Sequence, residues 1–110
     1  MVLLVEGTDY LVAGNQRGDV TNEIVIKTID TVDNGDTIVL DLTKYGISAT
    51  GFMGVFGFIH TTANSIVTQE QPATSVSGDN ITLTVGGATP NKNRYYTISG
   101  FSTPNPGAAL

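Results

Sequence analysis

Between Asp36 and Thr62 the chain reads DTIVLDLTKYGISATGFMGVFGFIHTT, and no other stretch carries as much aromatic bulk. Its first part alternates, with Ile38, Leu40 and Leu42 on one side and Thr37, Val39 and Asp41 on the other. A period of two marks a strand with one buried and one wetter face. After Tyr45-Gly46 the pattern changes. From Phe52 to Ile59, Phe52, Phe56 and Phe58 share one face while Met53, Val55 and Ile59 share the other. A strand that is apolar on both sides is predicted to lie inside, covered on both, so this segment reads as the central strand of a packed β-domain. Gly54 and Gly57 leave room there for neighbouring side chains or backbone to come close. A helix would have to tolerate Gly46, Gly51, Gly54 and Gly57, which helix propensity opposes.

The rest of the chain follows the same logic. Asp19 to Asn34 contains neither glycine nor proline, but nine of its sixteen residues are Val, Ile or Thr, which favours a strand over a helix. Asn34-Gly35 then lies between two alternating runs, the strongest short-range hairpin signal, so a strand at 22–32 is predicted to pair antiparallel with one at 37–43. Ile66 to Thr68 continues the aromatic strand after a polar turn, and Pro72 ends or edges it. Thr74 to Ser77 and Ile81 to Val85 flank Gly78-Asp79-Asn80 as a second hairpin, with Ile81, Leu83 and Val85 inward and Thr82 and Thr84 outward. Arg94 to Ser99 is the last strand. Pro104 and Pro106 keep the tail out of any sheet ladder. Short strands separated by turn signals, with no convincing helix, indicate an all-β, single-domain antiparallel sandwich or barrel. The domain spans 21–101. Residues 1–20 form an extended N-terminal arm or short edge strands, and 102–110 an extended tail.

Composition narrows the function. The 110 residues suffice for one domain with its own core. Charged residues make up 14%, against roughly 25% in ordinary soluble domains. Such a surface is poorly defended against association, and suits a protein that coats something or assembles with copies of itself. The net charge is −5 and the five basic residues are scattered, so there is no basic stripe to follow a nucleic-acid backbone. With no cysteine there is neither disulfide nor thiolate chemistry. The start MVLLVEGTDY lacks a basic region before its short apolar run, and no run approaches the ~20 apolar residues of a membrane-spanning helix. The expectation is a soluble chain without a membrane partner.

Catalytic signatures are missing, and the chain is expected not to be an enzyme and to need no cofactor. His60 is the only histidine and reads as a strand-end or interface residue rather than a base. Asp30, Asp33 and Asp36 crowd one turn, but their spacing of three and the absent distal glutamate do not match a calcium loop, so solvated turn residues account for them. Arg17-Gly18-Asp19 spells an adhesion tripeptide, and Asn80-Ile81-Thr82 a glycosylation acceptor; both are short enough to arise by chance. Arg94, Tyr95 and Tyr96 suggest a stacking platform, but neighbours in a strand face opposite ways, so core packing for one tyrosine and an edge contact for the other is the reading preferred.

The segments GDTIVLDLTKYG, FMGVFGFIHTTANSIV, TSVSGDNITLTVGG and NKNRYYTISGF, in this order and spacing, resemble the small head decoration or cement proteins of tailed bacteriophages. The resemblance is one of strand pattern over residues ~34–101 and includes no chemical signature. It implies a sandwich of jelly-roll or β-tulip type, sitting on the outer surface of a virion capsid with the major capsid protein as partner. It further implies a homo-oligomer, commonly a trimer, made in the host cytoplasm. In that setting Val2, Leu3, Leu4 and Val5, with Tyr10, Leu11 and Val12, are the candidates for an arm reaching a neighbour, and Phe101, just beyond the last strand, is another. A carbohydrate- or receptor-binding module is the alternative from a different class, and a tail or head–tail completion protein shares the same fold signals.

Overall fold

The computed structural model describes residues 2–15, 21–62, 65–87 and 92–102. Among these the chain forms eight strands: β1 Tyr10–Asn15, β2 Thr21–Thr28, β3 Thr37–Asp41, β4 Phe52–Thr62, β5 Ile66–Gln69, β6 Ala73–Ser77, β7 Asn80–Thr84 and β8 Arg94–Phe101. Two 3-10 turns, Leu42–Tyr45 and Ala49–Gly51, lead from β3 into β4. The strands build two antiparallel sheets, β1-β2-β8-β4-β5 and β3-β7-β6. The expected all-β sandwich forms, with two separate sheets rather than a closed barrel.

Alternation in the sequence sets the core. Ile24 and Ile26 on β2 and Tyr96 and Ile98 on β8 meet Ile38 and Leu40 on β3 and Ile81 and Leu83 on β7 across the sandwich. Leu42, Ile47, Val32 and Val85 close its ends, and Phe52 and Val55 pack against it. The β6–β7 hairpin matches expectation: Ser77 pairs with Asn80 around Gly78-Asp79, and Ile81, Leu83 and Val85 are buried.

The Asn34-Gly35 turn does not make the expected hairpin. Gly35 takes φ +92°, and the Asp36 N–H donates to the Asp33 carbonyl at 3.1 Å, so the turn itself is real. However, β2 ends at Thr28, and buried Val32 draws the chain inward. The turn therefore carries the chain from one sheet to the other. There β3 pairs with β7, while β2 pairs with β1 and β8. The apolar faces of β2 and β3 thus oppose one another instead of lying side by side. A local turn signal specifies a reversal, not the sheet that receives the next strand.

The aromatic segment also departs from expectation. The middle strand of the larger sheet is β8, the last in sequence, and β4 lies between β8 and β5. Phe52 pairs with Gly100 but Gly54 with Ser99, so Met53 is an extra residue in a bulge. One inserted residue inverts the side-chain parity beyond it. Phe52 therefore turns inward with Val55 and Ile59, whereas Met53, Phe56 and Phe58 point away from the core.

Of the two glycines expected to admit a neighbour, Gly57 does so and Gly54 faces open space. At Gly57 the chain leaving β5 crosses so closely that a Cβ would collide with the Glu70 carbonyl oxygen. The Glu70 N–H donates to the Gly57 carbonyl at 2.9 Å. The Gln71 side-chain amide then extends the ladder, accepting from the Gly57 N–H and donating to the Val55 carbonyl at 2.9 Å.

Candidate functional site

The two outer faces of the sandwich differ in chemistry. On the smaller sheet the outward positions are Thr37, Val39, Asp41, Ala73, Ser75, Ser77, Asn80, Thr82 and Thr84, a mostly polar surface whose apolar members are Val39 and Ala73. On the larger sheet the outward positions include Leu11 (66% exposed), Val25 (40%), Met53 (51%), Phe56 (57%), Phe58 (37%) and Val67 (52%). Isolated exposed apolar side chains are ordinary, but a contiguous group marks an interaction surface.

Strand register places the group on one face, with Lys27, Tyr95 and Thr97 between the apolar residues of β1 and β2 and those of β4. Leu11 pairs with Lys27, Lys27 with Tyr95, Tyr95 with Phe58 and Phe58 with Gln69, giving one row across all five strands. The next row runs Ala13, Val25, Thr97, Phe56. Paired residues on adjacent strands stand about 5 Å apart, so the side chains of each row touch or nearly touch. The His60 ring stacks on Tyr95 with centroids 4.4 Å apart and planes inclined by 25°. Lys27 Nζ stands 5.8 Å from the centre of the same Tyr95 ring. Tyr95 is thus held in place by a ring and a cation, within the reach of cation–π attraction. Tyr96 faces the core, as opposite facing of adjacent residues requires.

The remaining expected site residues fall elsewhere. Leu4 and Tyr10 are buried in the core, and Val12 packs against it. Val2, Leu3 and Val5 expose their side chains, but their backbone is tied down. The Thr37 N–H donates to the Val2 carbonyl at 2.8 Å, and the Leu4 N–H donates to the Thr37 carbonyl at 2.7 Å. The N-terminal segment is therefore edge structure of the fold rather than a detached arm. Leu11 alone of this set joins the outer face. Phe101 is not beyond the last strand but is its final residue, half-buried, its carbonyl accepting from the Ser48 N–H at 2.9 Å. Arg17, Gly18 and Asp19 lie outside the described residues, as does the tail from Thr103.

The aspartate turn is built for structure. Asp36 is buried, and its carboxylate accepts from the Asp33 N–H at 3.0 Å and the Val2 N–H at 3.2 Å, pinning the N-terminal segment to the corner. Among the described residues no group of three His, Asp or Glu side chains is arranged to hold a metal ion, and no helix is long and apolar enough to cross a membrane. Arg94 takes no part in a stacking platform with the tyrosines, because its side chain runs inward to Glu70. Sequence reasoning missed the open face because a strand apolar on both sides reads as covered on both; the bulge at Met53 changes only which of Phe52 and Met53 joins Phe56 and Phe58. The available signal was the excess of apolar residues on both sides of β4, which permits a covered strand or a sticky one equally well. Comparison with protein-family models, with curated proteins and with solved structures returns no match.

Proposed function

We propose that this chain is a non-enzymatic structural protein that acts by protein–protein contact through the outer face of its five-stranded sheet. The observation that carries this reading is the asymmetry of the sandwich. One outer face is Thr- and Ser-rich, whereas the other presents Met53, Phe56 and Phe58 beside Val25 and Leu11. Depletion of charge with enrichment of aromatic residues and methionine distinguishes the core of a protein interface from general surface. The low charge of the whole chain acts in the same direction, since each buried ion costs several kcal/mol unless paired.

The finer proposal follows from the strand motifs: the protein decorates a phage capsid, associates with itself and stabilises the shell. A clamp of this kind works by burying surface at many equivalent positions, and no single residue need be chemically reactive. A carbohydrate-binding module would also use exposed rings. Hydrogen-bonding groups do flank these rings, Phe58 standing between Tyr95 and Gln69 and Phe56 beside Thr97, but the same face adds Met53, Val25 and Leu11, apolar surface that a protein partner uses and a sugar does not.

The test is co-sedimentation with mature capsid shells, with the shells' melting temperature measured with and without the protein. Binding and a raised temperature are expected, both lost in Phe56→Glu. A protein that neither sediments with shells nor raises their melting temperature overturns the capsid role.

A further inference from the structure

We propose that the outer face of the five-stranded sheet is the interface of a two-fold dimer, in which Lys27 of each copy stands over Glu23 of the other. This rests on the reading of that face as the contact surface and names its occupant: a second copy of this chain.

The argument starts from β2. Glu23, Val25 and Lys27 point outward, alternating with buried Ile24 and Ile26. A negative and a positive side chain thus stand symmetrically on either side of Val25. Sheets that pack face to face keep their strands within about 30° of one another, at a separation of about 10 Å. A two-fold axis lying in such an interface, along the row Ala13, Val25, Thr97, Phe56, places that row over itself and exchanges the flanking rows.

On one flank stand Lys27, Tyr95 and Phe58; on the other stand Glu23, Ser99 and Gly54, with the outward Met53 of the bulge next to Gly54. The exchange sets Lys27 over Glu23 and Phe58 over Gly54, where no side chain intervenes and the adjacent Met53 comes alongside the ring, while Phe56 meets its own copy. Opposite charges meet, and the thioether lies against an aromatic ring, a favourable pairing. A slip of two residues would put Lys27 over the Val25–Phe56 row and strand a charge on apolar surface. The charge order therefore fixes one register.

The area is sufficient. At about 150–250 Å² for a large aromatic side chain and somewhat less for the aliphatic ones, the exposed fractions of Leu11, Val25, Met53, Phe56 and Phe58 amount to roughly 450–550 Å². Two copies together bury about 1,000 Å² from these side chains, and Glu23, Lys27, Tyr95 and Thr97 carry the contact beyond the roughly 1,000 Å² expected of a biological interface. An isologous contact of this kind closes on itself and does not propagate. It also leaves the wet face of the smaller sheet outside the dimer.

Sedimentation equilibrium of the full chain from about 1 µM to 1 mM tests the proposal. The wild type should dimerise. Lys27→Glu or Glu23→Lys alone should weaken the dimer by about tenfold or more, and the combined exchange should restore it. Circular dichroism confirms that each variant is folded, and both positions are on the surface. The chain has no cysteine, so Val25→Cys supplies a second readout: a short bis-maleimide should link two copies through this position on the axis, but not through Val39→Cys on the opposite sheet. A wild type that stays monomeric throughout overturns the dimer, as does failure of the double exchange to restore it. If a monomeric wild type still binds shells and Phe56→Glu does not, the contact face stands and only its occupant is wrong.

Discussion

The guanidinium of Arg94 reaches the carboxylate of Glu70 at 3.1 Å, with the arginine side chain almost wholly shielded from water. Arg94 also donates to the carbonyls of Val32, at 2.6 Å, and Lys92, at 3.1 Å. Its own N–H donates to the Thr28 hydroxyl at 2.9 Å. One side chain thus ties the start of β8 to the corner after β2 and to the crossing after β5, three segments distant in sequence. Removing one member of a buried pair leaves the other uncompensated, so Arg94→Met should cost about 3–5 kcal/mol. The double variant Arg94→Met/Glu70→Leu should cost clearly less than the sum of the two single changes, as urea titration of all four proteins would measure. Simple additivity would mean that the pair contributes nothing as a pair.

Gly57 and Gly54 lie three residues apart on β4 and should respond oppositely to the same substitution. In Gly57→Ala the new methyl meets the Glu70 carbonyl oxygen, with Tyr96 and Pro72 close by, and backbone cannot move aside cheaply. A loss of about 2–3 kcal/mol or more is expected, at the upper end for overpacking. Gly54→Ala meets nothing within 4 Å and should be neutral or slightly stabilising, because alanine has less backbone freedom to lose. Equal melting temperatures for the two variants would contradict the close crossing at Gly57.

These elements show what the sequence could convey. Alternation at Ile38/Leu40 and Ile81/Leu83 identified inward faces because burial acts on each strand separately, whereas on β8 it left open which of Tyr95 and Tyr96 turns inward, and the fold chooses Tyr96. The β6–β7 hairpin was legible because its two-residue turn joins strands that actually pair. The partners of β2, β3 and β8 were not legible, since β8 inserts between β2 and β4 only after the whole chain is available. Nor was the bulge at Met53, whose effect is to reverse parity without altering composition. That reversal moves Met53 outward beside Phe56 and Phe58, and their face stays open because no element among the described residues covers it.

Alkaline pH should destabilise the fold through Tyr96. Burial pushes its hydroxyl up to about 12, with the nearby Arg94 charge opposing the shift in part. In the unfolded chain a tyrosine titrates near its ordinary value of about 10. Above that pH the unfolded state releases a proton that the folded state keeps, so unfolding becomes easier. The stability tied to the neutral hydroxyl is intact below pH ~10 and is lost as pH rises towards ~12, by about 2–3 kcal/mol. Tyr10 shifts in the same direction, chiefly through burial. Tyr96→Phe should therefore flatten the loss between pH 10 and 12 in denaturant midpoints, and an unchanged slope would refute the assignment to Tyr96.

Phe56 and Leu83 separate the outer face from the core. Leu83 has no measurable exposure and sits opposite Ile38 and beside Thr74 in the smaller sheet. Leu83→Ala removes buried methyl groups and leaves a cavity, costing about 2–5 kcal/mol. Phe56, although aromatic and in the most apolar segment of the chain, is 57% exposed. Its replacement by alanine should cost less than about 1 kcal/mol in the isolated domain, far below the 3–5 kcal/mol of a buried phenylalanine. The two variants should exchange rank in an assembly assay, with Phe56→Ala the one that weakens self-association and shell binding while its denaturant midpoint stays near wild type. A Phe56→Ala midpoint lowered as far as that of Leu83→Ala would place this ring in the core and remove the outer face as a docking surface.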